Sequence, residues 1–502
     1  MEKVDKFKEV EGTIIEDPIF ISKVLMEAGH ECYAVGGIVR DLVLYKRIPE
    51  ESDWDFATSA TPREVIKAFS KRGIKVAPTG IKHGTVSVIY KGKEYQITTY
   101  RVDKDYSDFR HPSEVVFAKS IKEDLARRDF TINAMALNLV TGEFVDEFGG
   151  LEDIKNGIIR CVGDPIVRFR EDALRMLRAC RFASKLHFRI DDLTLEAIRE
   201  NAENITKISA ERIRDEIIKM MLSRKPSIGI EYMRKTGLLR YILPELQDCY
   251  GVSQNIYHKY DVYYHSLITA DTVSFLAEKI NDTKRMYRLK LAGLLHDIAK
   301  PITKQEVSEN GVDLSTFYNH EVIGAGIAKK ILRRLRFSNE DIDYIVRLVR
   351  HHMFYYTDEW TDSAVRRFMR NVGLDLIEDL FILREADRIG SGKRVAGSTS
   401  IQKLKERILR IIEEENAITV KDLRVNGYDI METLNIPQGP MVGKILNTLL
   451  QIVLEDPTKN KKEILLDMAK KIYEEETTKP NSITPDKSLA VAVKTDDPTK
   501  NT

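Results

Sequence analysis

Cysteine is scarce in this 502-residue chain: Cys32, Cys161, Cys180 and Cys249 are scattered, with no C-x-x-C pair. That pattern argues against a disulfide framework and against a cysteine-rich zinc site. No apolar run reaches membrane-spanning length, and Met1-Glu2-Lys3-Val4-Asp5-Lys6 carries charge where a secretory leader would be apolar. The expectation is a cytoplasmic protein with no membrane association. Net charge is missing as well, since 79 Lys and Arg against 78 Asp and Glu leave +1. A nucleic-acid partner must then be held by a local basic surface, because the molecule as a whole has no attractive field. Internal repeats are absent too. What remains is a composition of 43% hydrophobic and 31% charged residues, typical of a globular chain. Its length suggests about three domains.

The patterning predicts an α+β protein. Short β-rich runs and helices alternate over residues 1–150. Within them Thr85–Tyr90 and Tyr95–Tyr100, joined by Lys91-Gly92-Lys93-Glu94, read as a hairpin. Helical periodicity then dominates, with composition changes that divide the chain into 151–243, 244–395, 396–476 and a Thr/Pro/Lys/Asp-rich segment 477–502. That last segment lacks periodicity and is expected to be a disordered tail.

Chemistry concentrates in the first half. Gly36-Gly37-Ile38-Val39-Arg40-Asp41 is a glycine turn opening a helix, and Asp53-Trp54-Asp55 follows. On a strand, side chains at i and i+2 face the same way, so Asp53 and Asp55 converge. Paired carboxylates beside backbone amides that hold an anion suit Mg²⁺-dependent phosphoryl transfer. An Asp-x-Asp taken alone also describes a solvated acidic strand. Thr79–Thr85, with Lys82 and His83 between two glycines, reads either as a triphosphate neighbour or as an ordinary turn. Arg127-Arg128-Asp129-Phe130-Thr131-Ile132-Asn133 offers guanidinium groups for phosphate oxygens, and Asp129 and Asn133 offer acceptors for a ribose hydroxyl. The same run fits a capped amphipathic helix.

Asp172 and Arg175 stand three apart in Arg170–Arg178 and read either as a surface ion pair or as a base reader. A carboxylate accepts from the exocyclic amine of cytosine or adenine, while a guanidinium donates to the adjoining ring acceptors. Guanine and uracil present a carbonyl where that amine would be, so such a pair would accept C and A and reject G and U. On the same helix Arg178, Arg181 and Lys185 continue a basic stripe, which suits either a phosphate backbone or solvent.

Taken in order, Gly-Gly-x-Val-Arg-Asp, Asp-x-Asp, Arg-Arg-Asp-Phe-Thr-Ile-Asn-Ala-Met and Glu-Asp-x-x-Arg resemble the bacterial class II tRNA nucleotidyltransferases, the CCA-adding enzymes. The resemblance is dense over the first ~225 residues. It continues in Asn426-Gly427-Tyr428-Asp429-Ile430 and Ile436–Gly443, which are similar to the family's C-terminal RNA-binding region. It implies a polymerase-beta-like mixed-sheet head (1–150) and a helical neck that binds nucleotide base and RNA (151–243). It also implies a helical tRNA-binding region at 396–476. Asp53 and Asp55 would hold catalytic Mg²⁺; Gly36, Gly37 and Arg40 the triphosphate; Arg128, Asp129 and Asn133 the ribose and phosphates. Asp172 and Arg175 would select the base, Arg178, Arg181 and Lys185 would meet RNA, and Ser209–Glu216 would brace the pocket. The implied partners are tRNA, CTP and ATP. Many relatives carry a glutamate where this chain has Gln96, and Glu94 lies two residues away as a substitute.

A second constellation comprises His265, His296-Asp297, His320, His351-His352 and Asp387. Imidazoles mixed with carboxylates favour a transition metal over Mg²⁺, and the expected ligands are His265, His296, Asp297, His320, His351 and Asp387. Leu294–Pro301 resembles the signature of HD-domain metal phosphohydrolases. Residues 244–395 would then form an HD domain, either active as a 2′,3′-cyclic phosphodiesterase or phosphatase or only structural. Alternative functions are a poly(A) polymerase, a CC-only or A-only adding enzyme, and a signalling phosphohydrolase with a nucleotide-binding head. Arg101–Pro112 resembles the flexible loop that CC-only relatives lack.

Overall fold

The computed structural model describes residues 16–46, 52–106, 112–255, 258–309, 312–393, 397–413 and 420–478. The head contains β1 (Cys32–Val35), β2 (Trp54–Thr58), β3 (Lys75–Ala77), β4 (Thr85–Tyr90), β5 (Lys93–Thr99), β6 (Arg101–Tyr106), β7 (Pro112–Phe117), β8 (Ala136–Leu137) and β9 (Phe144–Val145). Seven of them form one sheet in the order β3-β4-β5-β2-β1-β8-β9, and β6 pairs with β7 separately. β2 runs parallel to β5 and the other pairs are antiparallel, so the sheet is mixed.

Alternation decides which face carries chemistry. Trp54 and Phe56 are buried and Asp55 between them is exposed on the opposite face. β4 and β5 form the expected hairpin, tightened to a two-residue turn in which Lys91 and Gly92 both have positive φ (48° and 79°). Such turns match the twist of the flanking strands. Tyr33, Val35, Ala57, Tyr100, Ile121, Leu125 and Ala134 are among the residues of one core cluster in the head. Of the loop expected at Arg101–Pro112, residues 107–111 lie outside the described residues.

The neck is built from the helices Pro165–Glu171, Leu174–Leu186, Asp192–Asn201, Ala210–Met221 and Pro226–Lys235. Leu174–Leu186 and Pro226–Lys235 approach so closely that a Cβ on Gly229 would lie 2.6 Å from the Cys180 carbonyl oxygen. Next come Val262–Leu276, Thr283–Leu295, His320–Arg334, Asn339–His351 and Ile377–Gly390. Asp261, Asp282 and Ser338 cap the first, second and fourth of these with side-chain hydrogen bonds.

The chain divides into two compact units, Met1–Phe354 with Glu378–Gly397, and Tyr355–Ile377 with Ser398–Thr502. The sequence expectation placed 355–377 within 244–395; its helix Asp362–Val372 instead packs with the C-terminal unit. Its apolar residues Val365, Met369 and Val372 are buried, and Arg366 donates to the Leu454 carbonyl oxygen at 3.3 Å. In that unit Val442, Ile445, Leu449 and Val453 recur at helical spacing and build a core with Ile430 and Leu465. Asn426 and Asp429 form a capping box at the start of Gly427–Leu434. The helix Lys462–Thr478 runs through 477 and 478, and the rest of the proposed tail lies outside the described residues.

Candidate active site and candidate metal centre

Gly36 has φ 77° and ψ −135° and opens the helix Gly37–Tyr45. A Cβ there would lie 3.2 Å from Arg128 Nη1 and 4.0 Å from Asp55 Oδ2, so three separate motifs of the sequence meet at this glycine. Arg40 Nη2 lies similarly close to Gly37. Gly36→Ala is expected to cost about 1–3 kcal/mol of stability, because this backbone region is almost closed to L side chains. It should also raise KM for CTP by displacing Arg128; a wild-type urea midpoint and KM would contradict the close approach.

Asp55 pairs in register with Gln96 on the parallel neighbour β5. Glu94, Gln96 and Asp55 are exposed on one face of the sheet, with exposed Asp53 just before β2. Burial and the charge of Asp53 raise the pKa of the Asp55 carboxyl, with Arg128 opposing them. Two carboxylates that penalise each other's charge beside a glycine turn fit a hard cation with oxygen ligands.

Asp129 and Asn133 do meet, through a 3₁₀ turn at Thr131–Asn133 and not along an α-helix. Asn133 Nδ2 donates to Asp129 Oδ1 at 3.1 Å, and Asn133 Oδ1 accepts from Arg40 Nη1 at 2.8 Å. Arg178 donates to Asp129 Oδ2 through Nε (2.9 Å) and Nη2 (2.5 Å). Burial works against charge on Asp129, yet Arg178 and Asn133 hold its carboxyl well below the usual carboxylate range. Its stabilising effect is therefore complete above the unfolded value of about 3.9 and is lost as pH falls through the folded value. The stability advantage of wild type over Asp129→Asn, read from denaturant midpoints, should shrink between pH 7 and pH 3. A gap independent of pH would refute the pairing.

The expected basic stripe is not a solvated face. Arg178 is engaged by Asp129, Arg181 Nε lies 2.7 Å from Glu216 Oε2, and Lys185 Nζ lies 3.9 Å from Asp41 Oδ2. Arg40, Arg178 and Arg181 also flank the buried Phe182 ring, Arg181 at 4.0 Å from its centroid. Sequence reading missed the acidic partners because they come from distant segments. These contacts tie the neck helix Leu174–Leu186 to the head and to Ala210–Met221.

Asp172 and Arg175 are not helix neighbours either, because Asp172 sits at the break between Pro165–Glu171 and Leu174–Leu186. Its carboxylate accepts from Arg212 at 3.3 and 2.7 Å and from the Leu174 amide at 3.1 Å. Arg175 donates to Glu171 Oε2 at 2.6 Å and to the Arg127 and Arg168 carbonyl oxygens. Arg212 is thus an additional member of the constellation. It lies inside Ser209–Glu216, the only signal that pointed to it.

In the second constellation the rings of His296, His320 and His352 each donate from Nδ1 to a backbone carbonyl, of Gly293 (2.8 Å), Phe317 (2.7 Å) and Val349 (2.8 Å). This fixes Nε2 as the inward nitrogen of each. Asp297 Oδ2 lies 3.3 Å from His265 Nε2 and 3.2 Å from His296 Nε2, and Asp387 Oδ1 lies 3.1 Å from His265 Nε2. Lys300 Nζ contacts Asp297 Oδ2 at 2.6 Å, and Arg384 Nη1 contacts Asp387 Oδ2 at 2.6 Å. Both basic residues stand three places from their aspartate, a helical spacing that was legible but unused.

His351 is corrected to His352. His351 ends the helix Asn339–His351 and is only partly buried, whereas His352 is fully buried with Nε2 3.3 Å from His320 Nε2. Neighbouring side chains diverge by about 100°, so only one of the two can turn inward. His258 joins His265 and Asp387 in a further close group, and burial lowers its pKa to about 3, leaving the imidazole neutral. The donor set of neutral imidazoles and buried carboxylates fits a divalent transition metal.

Residues 32–160 match the poly A polymerase head domain, 187–250 the probable RNA and SrmB-binding site of polymerase A, and 262–391 the HD domain. The chain is 32% identical to a CCA-adding enzyme of Ligilactobacillus salivarius over 460 residues, covering 91% of this chain and 96% of the relative. It is 34% identical to a CCA-adding enzyme of Enterococcus faecalis over 443 residues, covering 88% and 92%. The crystal structure of the Bacillus stearothermophilus CCA-adding enzyme in complex with CTP aligns with TM-score 0.64 and 27% identity, over 92% of this chain and 98% of that one. The chain belongs to the CCA-adding enzymes.

Proposed function

We propose that the head and neck add C, C and A to the 3′ end of tRNA without a nucleic-acid template, using CTP and ATP and releasing pyrophosphate. The observation that carries this reading is the meeting of Asp55, Gly36 and Arg128 at one point, beside the Asp129–Arg178 pair and within a family of named CCA-adding enzymes. Asp53 and Asp55 hold Mg²⁺, which when bound supplies charge that polarises the α-phosphate and acidifies the attacking hydroxyl. Gly36, Gly37 and Arg40 receive the triphosphate, and Arg128, Asp129 and Asn133 orient phosphates and ribose. Asp172 and Arg175 choose the base. The tRNA 3′ hydroxyl attacks the α-phosphate in line, and pyrophosphate departs. The substrate places the protein in the cytoplasm, and no helix among the described residues is long and apolar enough to cross a membrane. With Mg²⁺ and tRNA lacking its 3′ terminus, CTP alone should add two residues, and ATP should add one only after them. Addition of A to the unextended end would refute the assignment.

A second reading concerns the HD centre, favoured by the buried imidazoles and carboxylates that converge on Asp297. It is a metal-dependent phosphohydrolase acting on 2′,3′-cyclic nucleotides or phosphomonoesters. Asp297→Asn should abolish hydrolysis supported by Mn²⁺, Ni²⁺ or Co²⁺ while leaving CCA addition intact. Absence of hydrolysis in wild type with all three metals would sink the activity.

A further inference from the structure

The two oxygens of Asp297 face different partners. Oδ2 faces His265 and His296 (3.3 and 3.2 Å), whereas Oδ1 faces His320 and His352 (3.3 and 3.7 Å). Within each pair the imidazole nitrogens also approach, 3.1 Å for His265 and His296 and 3.3 Å for His320 and His352. In the second pair both Nδ1 protons are committed to backbone carbonyls, so two neutral rings present only Nε2 lone pairs to each other and to Asp297 Oδ1. Three acceptors converging without a donor are mutually repulsive unless a cation lies among them. Their separations also fit one ion: metal–nitrogen bonds of about 2.0–2.1 Å in tetrahedral geometry place ligand atoms roughly 3.4 Å apart.

The surroundings of the two groups differ. A cavity of about 360 Å³ is walled by Asp297, Lys300, His320, His352, Arg384 and Asp387 among others, whereas His265 and His296 do not reach it. His265 and His296 are completely buried. The first group, completed by Asp387, supplies four protein side chains and is closed; the second supplies three and opens on the cavity. Closed sets hold a metal structurally, and open sets keep a position for water or substrate.

We propose that the HD centre holds two divalent cations sharing Asp297, a closed one bound by His265, His296 and Asp387, and an open one bound by His320 and His352. The open position, with Lys300 and Arg384 in the same cavity wall, takes an oxygen of a phosphate ester. The inference rests on reading this centre as a metal site.

The test counts ions in the full-length chain. With the head silenced by Asp53→Asn and Asp55→Asn, the chelator-stripped protein is titrated with Mn²⁺ and free ion is followed by electron paramagnetic resonance. Two equivalents should bind, with a spin-coupled signal from ions bridged by one carboxylate. Adding His320→Gln and His352→Gln should reduce binding to one equivalent and abolish the coupling. A single equivalent in the head-silenced protein overturns the two-ion inference and leaves a mononuclear HD centre. No bound manganese overturns the metal reading itself, and two equivalents retained after both histidine changes overturn the ligand assignment. The count in the head-silenced protein decides the issue even if the histidine variants fail to fold.

Discussion

Asp55→Asn is expected to reduce CCA addition by at least about 10³-fold, because a lost metal contact at a reacting phosphate removes several kcal/mol of transition-state stabilisation. The change is nearly isosteric, and Asp55 is exposed on its strand with Phe56 and Trp54 carrying the burial below. The fold should therefore survive, and tRNA binding measured by filter retention should stay within about twofold, since Asp55 contributes no positive charge to an RNA surface. Loss of activity with intact tRNA binding is the signature of a metal ligand. Activity within tenfold of wild type would refute the assignment of Asp55. Burial and Asp53 raise the Asp55 pKa, so metal binding must compete with a proton there. The apparent Mg²⁺ affinity of wild type should rise with pH through the carboxylate range.

Asp172→Ala is expected to collapse base choice. In wild type the amine of cytosine or adenine meets a carboxylate acceptor; with alanine that acceptor is gone and uracil is no longer opposed. Discrimination of CTP over UTP, expressed as a ratio of kcat/KM, should fall by roughly 10–100-fold, the equivalent of one bidentate base contact. KM for the triphosphate should change far less, since the phosphates are held elsewhere. Arg212 adds a condition, because its two contacts occupy both oxygens of Asp172. A base amine must then share or displace one of them, and Arg212→Gln should alter the C-to-A preference without eliminating transfer. Unchanged CTP/UTP discrimination in Asp172→Ala would remove the base-reading role.

What could be read from the chain depended on sequence distance. The mixed-sheet head, the hairpin and the shared face of Asp53 and Asp55 follow from period-2 alternation, and the structure has them where expected. Asp297 with Lys300, and Asp387 with Arg384, were within reach of helical spacing. By contrast Arg178–Asp129 and Arg212–Asp172 join residues 49 and 40 positions apart. A basic stripe read on one helix carries no information about carboxylates arriving from another, so Arg178, Arg181 and Lys185 looked solvated. His351 and His352 show a different ambiguity: adjacent histidines at a helix end differ only by rotation, and burial selects His352. The segment 355–377 was assigned to the wrong neighbour because its amphipathic stripe states that a face is buried, not what buries it.

The central claim is that this head stops after C, C and A on a tRNA end. The most direct measurement supplies CTP and ATP together with an equimolar mixture of tRNA lacking its 3′ terminus and an unstructured RNA, then sequences the 3′ ends of both. The account predicts CCA as the terminal sequence on nearly every extended tRNA and little extension of the unstructured RNA. Long runs of A on either substrate would contradict it and assign the head to poly(A) synthesis.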